Sequence, residues 1–105
     1  GLTSHSGHMR AGELLDGFGG MMSFEVRGGV NAANRILENV TLPISAPSLG
    51  GVESLITRPA ITSHAGVPPE ERRAMGISDS LIRLSVGLEA TEDLMEDFEQ
   101  ALKRV

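Results

Sequence analysis

The stretch Leu81–Glu89, Leu-Ile-Arg-Leu-Ser-Val-Gly-Leu-Glu, constrains the fold of this chain more than any other. Ile82, Leu84, Val86 and Leu88 alternate with Leu81, Arg83, Ser85 and Gly87, the period-two pattern of a strand with one buried face. The second face is small and carries a single guanidinium. A face that met only water would usually offer several long charged side chains. Here Arg83 is flanked by a serine and a glycine, which leaves room for a planar anion such as a carboxylate, held by two parallel N–H···O bonds. By itself the strand fits an ordinary solvated arginine, paired with a nearby glutamate, better than a ligand clamp, because most isolated arginines are of that kind.

Around this strand the periodicity predicts short elements. Met21–Val26 alternates as a half-buried strand after the turn Gly17-Phe18-Gly19-Gly20, with Met21, Met22 and the later Met95 as core filler. Val30, Ala33, Ile36, Leu37 and Val40 recur at helical spacing, with the helix ending near Asn39. Thr41–Ile44 is extended, and Pro43 favours a sheet edge or a strand start. A loop of small residues, 46–51, leads into a strand over Val52–Thr57 that Arg58-Pro59 stops. Pro68-Pro69 opens a helix with Glu70 and Glu71 in its first turn, and Gly76 ends it. Thr91 is the expected N-cap of a last helix whose apolar stripe is Leu94, Met95, Phe98, Ala101, Leu102 and Val105, with its acidic residues on a solvated face. The order β-α-β-β-α-β-α predicts an α/β two-layer sandwich, a short-stranded, mostly antiparallel sheet with helices on one face. Residues 1–105 are expected to form one domain, entered through a linker over 1–17 with a short helix, Met9 to Asp16, that turns Leu14 and Leu15 inward.

Composition removes several function classes. A net charge of −5, without a Lys/Arg run, argues against nucleic acid and anionic membrane as partners, and three Phe with no Trp or Tyr make a poor stacking platform for bases. No cysteine is present, so disulfides and thiolate metal sites are out. No apolar run approaches a membrane span, and the first residues lack the charged and apolar regions of a signal peptide. His5 and His8 have no third ligand nearby, so no metal is expected. The glycines at 17–20 precede a strand and lack a following Gly-Lys-Ser/Thr, so they are a turn rather than a phosphate loop. Ser63 and His64 have no serine-framing motif or positioned acid of a hydrolase triad. Lys103 is the single lysine, so chemistry that needs an internal lysine is beyond this chain alone.

Ser48-Leu49-Gly50-Gly51-Val52-Glu53-Ser54-Leu55, then Arg58-Pro59-Ala60, Ser63-His64-Ala65, Gly76-Ile77-Ser78-Asp79 and Leu81–Glu89 form an ordered set of motifs. With Leu2, Ser4-His5, His8 and Gly17–Met21 upstream, the chain resembles the C-terminal domain of the trans-sulfuration, or Cys/Met-metabolism, PLP-dependent enzymes, the family of cystathionine γ-lyase and cystathionine γ-synthase. The resemblance implies a fold-type I subunit, cytoplasmic and in a homotetramer. Its PLP would be bound by a large domain that supplies the Schiff-base lysine, the aspartate on the pyridine nitrogen and the stacking aromatic. None of that domain lies in these residues, which agrees with the lysine count.

By position, the resemblance makes Arg83 the clamp on the α-carboxylate of a sulfur amino-acid substrate, with Ser48 of the Ser48-Leu49-Gly50 loop as its helper. Glu53 would lie near the distal end of a cystathionine-sized substrate, although an acid at a strand mouth is more commonly just a solvated end. Ser63 stands where the family has the threonine of Thr-His-Ala, keeping the hydroxyl and losing a methyl, and Ser6 replaces a common proline. No residue of the chain is expected to act catalytically or to bind the cofactor. The expected function is the substrate-binding cap of a C–S lyase or γ-replacement enzyme. The alternative is a non-enzymatic binding or oligomerisation module derived from that domain.

Overall fold

The computed structural model describes all residues, 1–105. Helix α1 (His8–Leu14) precedes strand β1 (Met21–Phe24), and helix α2 (Gly29–Asn39) leads to strands β2 (Ile44–Ser45) and β3 (Leu55–Thr57). A 3-10 turn (Pro59–Ile61), helix α3 (Pro69–Ala74), strand β4 (Ile82–Ser85) and helix α4 (Thr91–Leu102) complete the chain. The strands lie in the order β1-β4-β3-β2. β4 is antiparallel to both β1 and β3, and β2 is parallel to β3 at the edge. The expected α/β sandwich with a mostly antiparallel sheet and Pro43 leading into an edge strand is therefore what forms.

One face of the sheet is the core. Ile56, Ile82 and Leu84 pack against Ala33, Ile36 and Val40 of the α2 region and Ala101 of α4, with Phe24, Val26, Leu37 and Phe98 closing the sides. Ile36, Ile56 and Ile82 are fully buried, and each such side chain contributes roughly 1.5–3 kcal/mol of transfer free energy. The turn from β1 into α2 needs a glycine at 28: its φ is +106° and a Cβ there would sit 2.9 Å from that of Ala32.

Several expectations fail, each for a tertiary reason. β4 stops at Ser85, and Val86 and Leu88 are outside the core, Leu88 at 82% exposure: the Val86 N–H still bonds the Gly20 carbonyl just before β1, but the Leu88 N–H goes to Val52 and not to a neighbouring strand. β3 begins at Leu55 and not Val52, because residues 52–54 bend toward that same segment. Met21, Met22 and Met95 are exposed, not core: β1 is an edge strand, and the groove between it and α4 stays open. Leu14 and Leu15 are exposed too, since α1 has no buried residue and packs no apolar face. Leu102 and Val105 of the predicted α4 stripe are likewise exposed, while Leu94 and Ala101 are buried.

Helix α4 holds two further corrections. Thr91 is its first helical residue, not its cap, and no side chain caps that end. Asp97, placed by periodicity on the solvated side, is only 6% exposed. Its carboxylate accepts the backbone N–H of Thr41 (2.8 Å) and of Leu42 (2.9 Å), the Thr41 hydroxyl (2.8 Å) and the Gln100 amide (3.1 Å). Burial works against the charge, but these donors prevail and hold the Asp97 carboxyl below its ordinary value. Asp97 thereby fastens the segment leaving α2 to α4.

Candidate functional site

The opposite face of the sheet carries Arg83 and Ser85 of β4, Leu55 and Thr57 of β3, Met21 and Ser23 of β1, and Ile44 of β2, as the strand register requires. Parallel strands β2 and β3 need a crossover connection that passes over one face. With α2 and α4 on the core face, residues 46–54 take the Arg83 face. They reach across β3 as far as β4, where Gly50 donates its N–H to Ser85 Oγ (2.9 Å). Leu55, Thr57 and Ser85 are buried as a result.

Arg83 is half-buried in this face. Its Nη2 donates to the carbonyl oxygens of Pro47 and Ser48, the latter at 3.2 Å. Nε and Nη1 have no acceptor in the chain. The loop carbonyls thus fix the guanidinium while part of its donor set stays free, an arrangement suited to an incoming anion. Ser48 lies beside Arg83 through its backbone, with its side chain exposed, and Leu49 is exposed at 55%. Thr57, the cross-strand partner of Arg83, bonds the Thr62 hydroxyl (3.0 Å), which ties the turn carrying Ser63 to the same face. Ser63 itself is exposed and paired with His64 Nδ1 (2.9 Å).

Glu53 has no hydrogen-bond partner in the chain. Its carboxylate is exposed and folds back over Gly51, with Oε1 3.0 Å from where a Cβ on that glycine would be. Arg83 and Ser48 are therefore joined by a direct contact, Leu49 follows Ser48 exposed on the same loop, Ser63 is joined through Thr62, and Glu53 stands apart on that loop.

Periodicity misses the groups that hold the loop. Ser85, only 2% exposed, anchors Gly50. Glu89 accepts the Ser54 N–H (2.7 Å) and the Ser54 hydroxyl (2.8 Å), and Ser54 Oγ in turn accepts the Gly87 N–H (2.9 Å). The Ser54 N–H, foremost among these bonds, holds the Glu89 carboxyl below its ordinary value. The one available signal was that Ser85 shares a strand face with Arg83, two residues away.

Two other arginines are structural. Arg58 is 6% exposed and gives Nε and Nη2 to the Asp79 carbonyl (3.0 and 2.7 Å) and Nη1 to Asn34 (2.5 Å). Arg72 forms a 2.6 Å ion pair with Asp79, and that hydrogen bond is the main cause of the lowered Asp79 value.

A cofactor held through a lysine does not fit the residues of this chain. Lys103 follows α4, on the core side of the sheet and away from Arg83, and its exposed ammonium pairs with Glu99 at 2.9 Å. The Arg83 face offers no lysine.

Comparison with known proteins agrees with this fold. Residues 1–103 match the model of the Cys/Met metabolism PLP-dependent enzyme family. The chain is 50% identical to a cystathionine gamma-lyase of Dictyostelium discoideum and 51% identical to a cystathionine beta-lyase of Lactococcus lactis subsp. cremoris, each over 99% of this chain and 27% of the relative. A crystal structure of cystathionine gamma synthase from Xanthomonas oryzae pv. oryzae, in complex with cystathionine, superposes with a TM-score of 0.95 at 48% identity, over 99% of this chain and 27% of that one. The chain thus spans about a quarter of the length of these relatives. This α/β chain belongs, on these matches, to the Cys/Met metabolism family of PLP-dependent enzymes.

Proposed function

We propose that this chain is the substrate-binding cap of a longer, PLP-dependent trans-sulfuration enzyme acting on sulfur amino acids, and that Arg83 holds the substrate α-carboxylate. The observation that carries the reading is the half-buried guanidinium on a rigid strand, anchored by Nη2 to Pro47 and Ser48 with Nε and Nη1 free. The Ser48 hydroxyl, exposed at the next position of that loop, assists, and Leu49 and Ser63 border the same face. Fixing the carboxylate sets the orientation of the bond to be broken and lowers the entropic part of the barrier. The lysine and the cofactor site come from the rest of the polypeptide, so the isolated 105-residue chain is inactive and leaves the absorbance of added PLP unchanged. Oligomers of the complete enzyme place such caps over each active site.

In the full-length enzyme, Arg83→Ala lowers kcat/KM by about 2–4 kcal/mol, or about 30- to 1,000-fold, with an unchanged thermal midpoint. Wild-type kinetics from that variant would remove the assignment. Identity is about equal to a gamma-lyase and a beta-lyase, so it does not choose between their reactions, and Glu53 is the candidate here for a residue that meets the distal part of the substrate. Assays with cystathionine, homocysteine and an acylated homoserine plus cysteine separate elimination from replacement.

A further inference from the structure

We propose that Ser85 and Glu89 are positioning residues that lock the Ser48–Glu53 loop over Arg83, so that the strand bearing the carboxylate clamp also sets the shape of the substrate loop. The proposal rests on the reading of Arg83 given above. Four observations support it.

Ser85 lies two residues from Arg83 on the same strand face, and its Oγ accepts the Gly50 N–H at 2.9 Å. At the far end of the loop Leu88 donates its N–H to the Val52 carbonyl (2.8 Å). Glu89 then takes both donors of Ser54, and Ser54 Oγ takes the Gly87 N–H. Finally, the backbone of 52–54 lies so close to β4's continuation that a Cβ on Gly87 would sit 2.4 Å from the Val52 carbonyl oxygen and 2.6 Å from the Ser54 nitrogen. Only glycine permits that approach.

Gly50, the first anchor, directly follows Ser48 and Leu49, and Ser54, the second, directly follows Glu53, and the side chains of Ser48, Leu49 and Glu53 make no hydrogen bond of their own. Beside these anchors and the Leu88–Val52 bond, the loop is tied at the site by the pair of carbonyls on Arg83 Nη2. Without Ser85 and Glu89, the loop would be free to leave the guanidinium, and ordering it would be charged against substrate binding. With them, the loop is ordered before substrate arrives. A sub-ångström position for the groups around a reacting substrate depends on such supporting bonds.

The test uses the full-length, PLP-loaded protein with L-cystathionine as the probe. Ser85→Ala and Glu89→Ala each raise KM by about 10-fold, and raise it more than they lower kcat, because they disorder the binding loop and leave the reacting groups in place. Glu89→Gln, which keeps an acceptor for the Ser54 N–H, restores KM to within about 3-fold of wild type. Amide exchange at Gly50 speeds up in Ser85→Ala while β3 and β4 amides keep their protection. If KM stays at the wild-type value in both alanine variants while their thermal midpoints fall, the network is only structural and the proposal is overturned. Arg83→Ala is run beside them: if it too leaves KM unchanged, the reading of Arg83 fails, whereas an Arg83 effect without a Ser85 or Glu89 effect overturns the positioning role alone.

Discussion

Arg58 and Arg83 both project from the β3–β4 pair or its edge, yet their surroundings are opposite. Arg58 is buried, and all three of its nitrogens are used, by Asn34 and the Asp79 carbonyl. Arg83 is half-exposed, and one nitrogen alone is used, by two loop carbonyls. A guanidinium engaged at every nitrogen joins elements, here α2, the end of β3 and the loop before β4. One with free donors, held at a single nitrogen, is prepared for a ligand. Charge and residue type are the same in both cases, so the distinction lies in which donors the fold has already consumed.

The largest effect that sharpens this contrast is on stability. Arg58→Ala leaves Asn34 Oδ1 and the Asp79 carbonyl without their charged partner and lowers unfolding free energy by about 2–4 kcal/mol in denaturant titration. Arg83→Ala shifts the same titration by less than about 0.5 kcal/mol, as for other partly exposed residues. Equal losses in the two variants would break the comparison.

Next is Asp97, the carboxylate counterpart of Arg58. Asp97→Ala strands the Thr41 and Leu42 N–H groups and costs about 1–3 kcal/mol, measured by thermal unfolding. Its pH dependence has a definite sign. The folded value lies below the ordinary 3.8, so as pH falls the unfolded chain takes up this proton first. The stabilisation from Asp97 is present above the ordinary value and is lost as pH drops through the lowered folded value, so Asp97→Asn flattens the acid limb of a stability–pH curve. An unchanged acid limb would mean that other carboxylates, Asp79 and Glu89 among them, carry it.

The smallest effect falls on Glu53, which is exposed and unpartnered. Glu53→Ala leaves stability within about 0.5 kcal/mol and raises KM for cystathionine by about 3- to 10-fold, with less effect on a shorter thioether amino acid. Equal effects on both substrates would place Glu53 away from the distal end.

Local pattern makes part of this legible in the amino-acid order. Ile82 and Leu84 alternate, Ala33 and Ile36 recur at helical spacing, and all four reach the core as expected. Arg83 stands out because its strand face is otherwise small. Asp97 does not, since its partners are Thr41 and Leu42, brought to it only when α4 packs beside α2. Val52–Ser54 extends the strand pattern of β3, but the crossover bends it toward Gly87 and Glu89. Met22 and Met95 look like core because nothing in their spacing records that β1 lies at an edge with an open groove beside it. Periodicity reports which face of an element is apolar, not whether another element covers it.

The central claim, that Arg83 holds the substrate carboxylate, is tested most directly by crossing the residue with the group it is said to hold. The full-length enzyme and its Arg83→Ala variant are each titrated with L-cystathionine and with the amine that lacks one α-carboxylate. Wild type should prefer the carboxylate-bearing ligand by about 30-fold or more, and the variant should lose nearly all of that preference. A variant that still discriminates as strongly as wild type would contradict the account and assign the carboxylate to another residue.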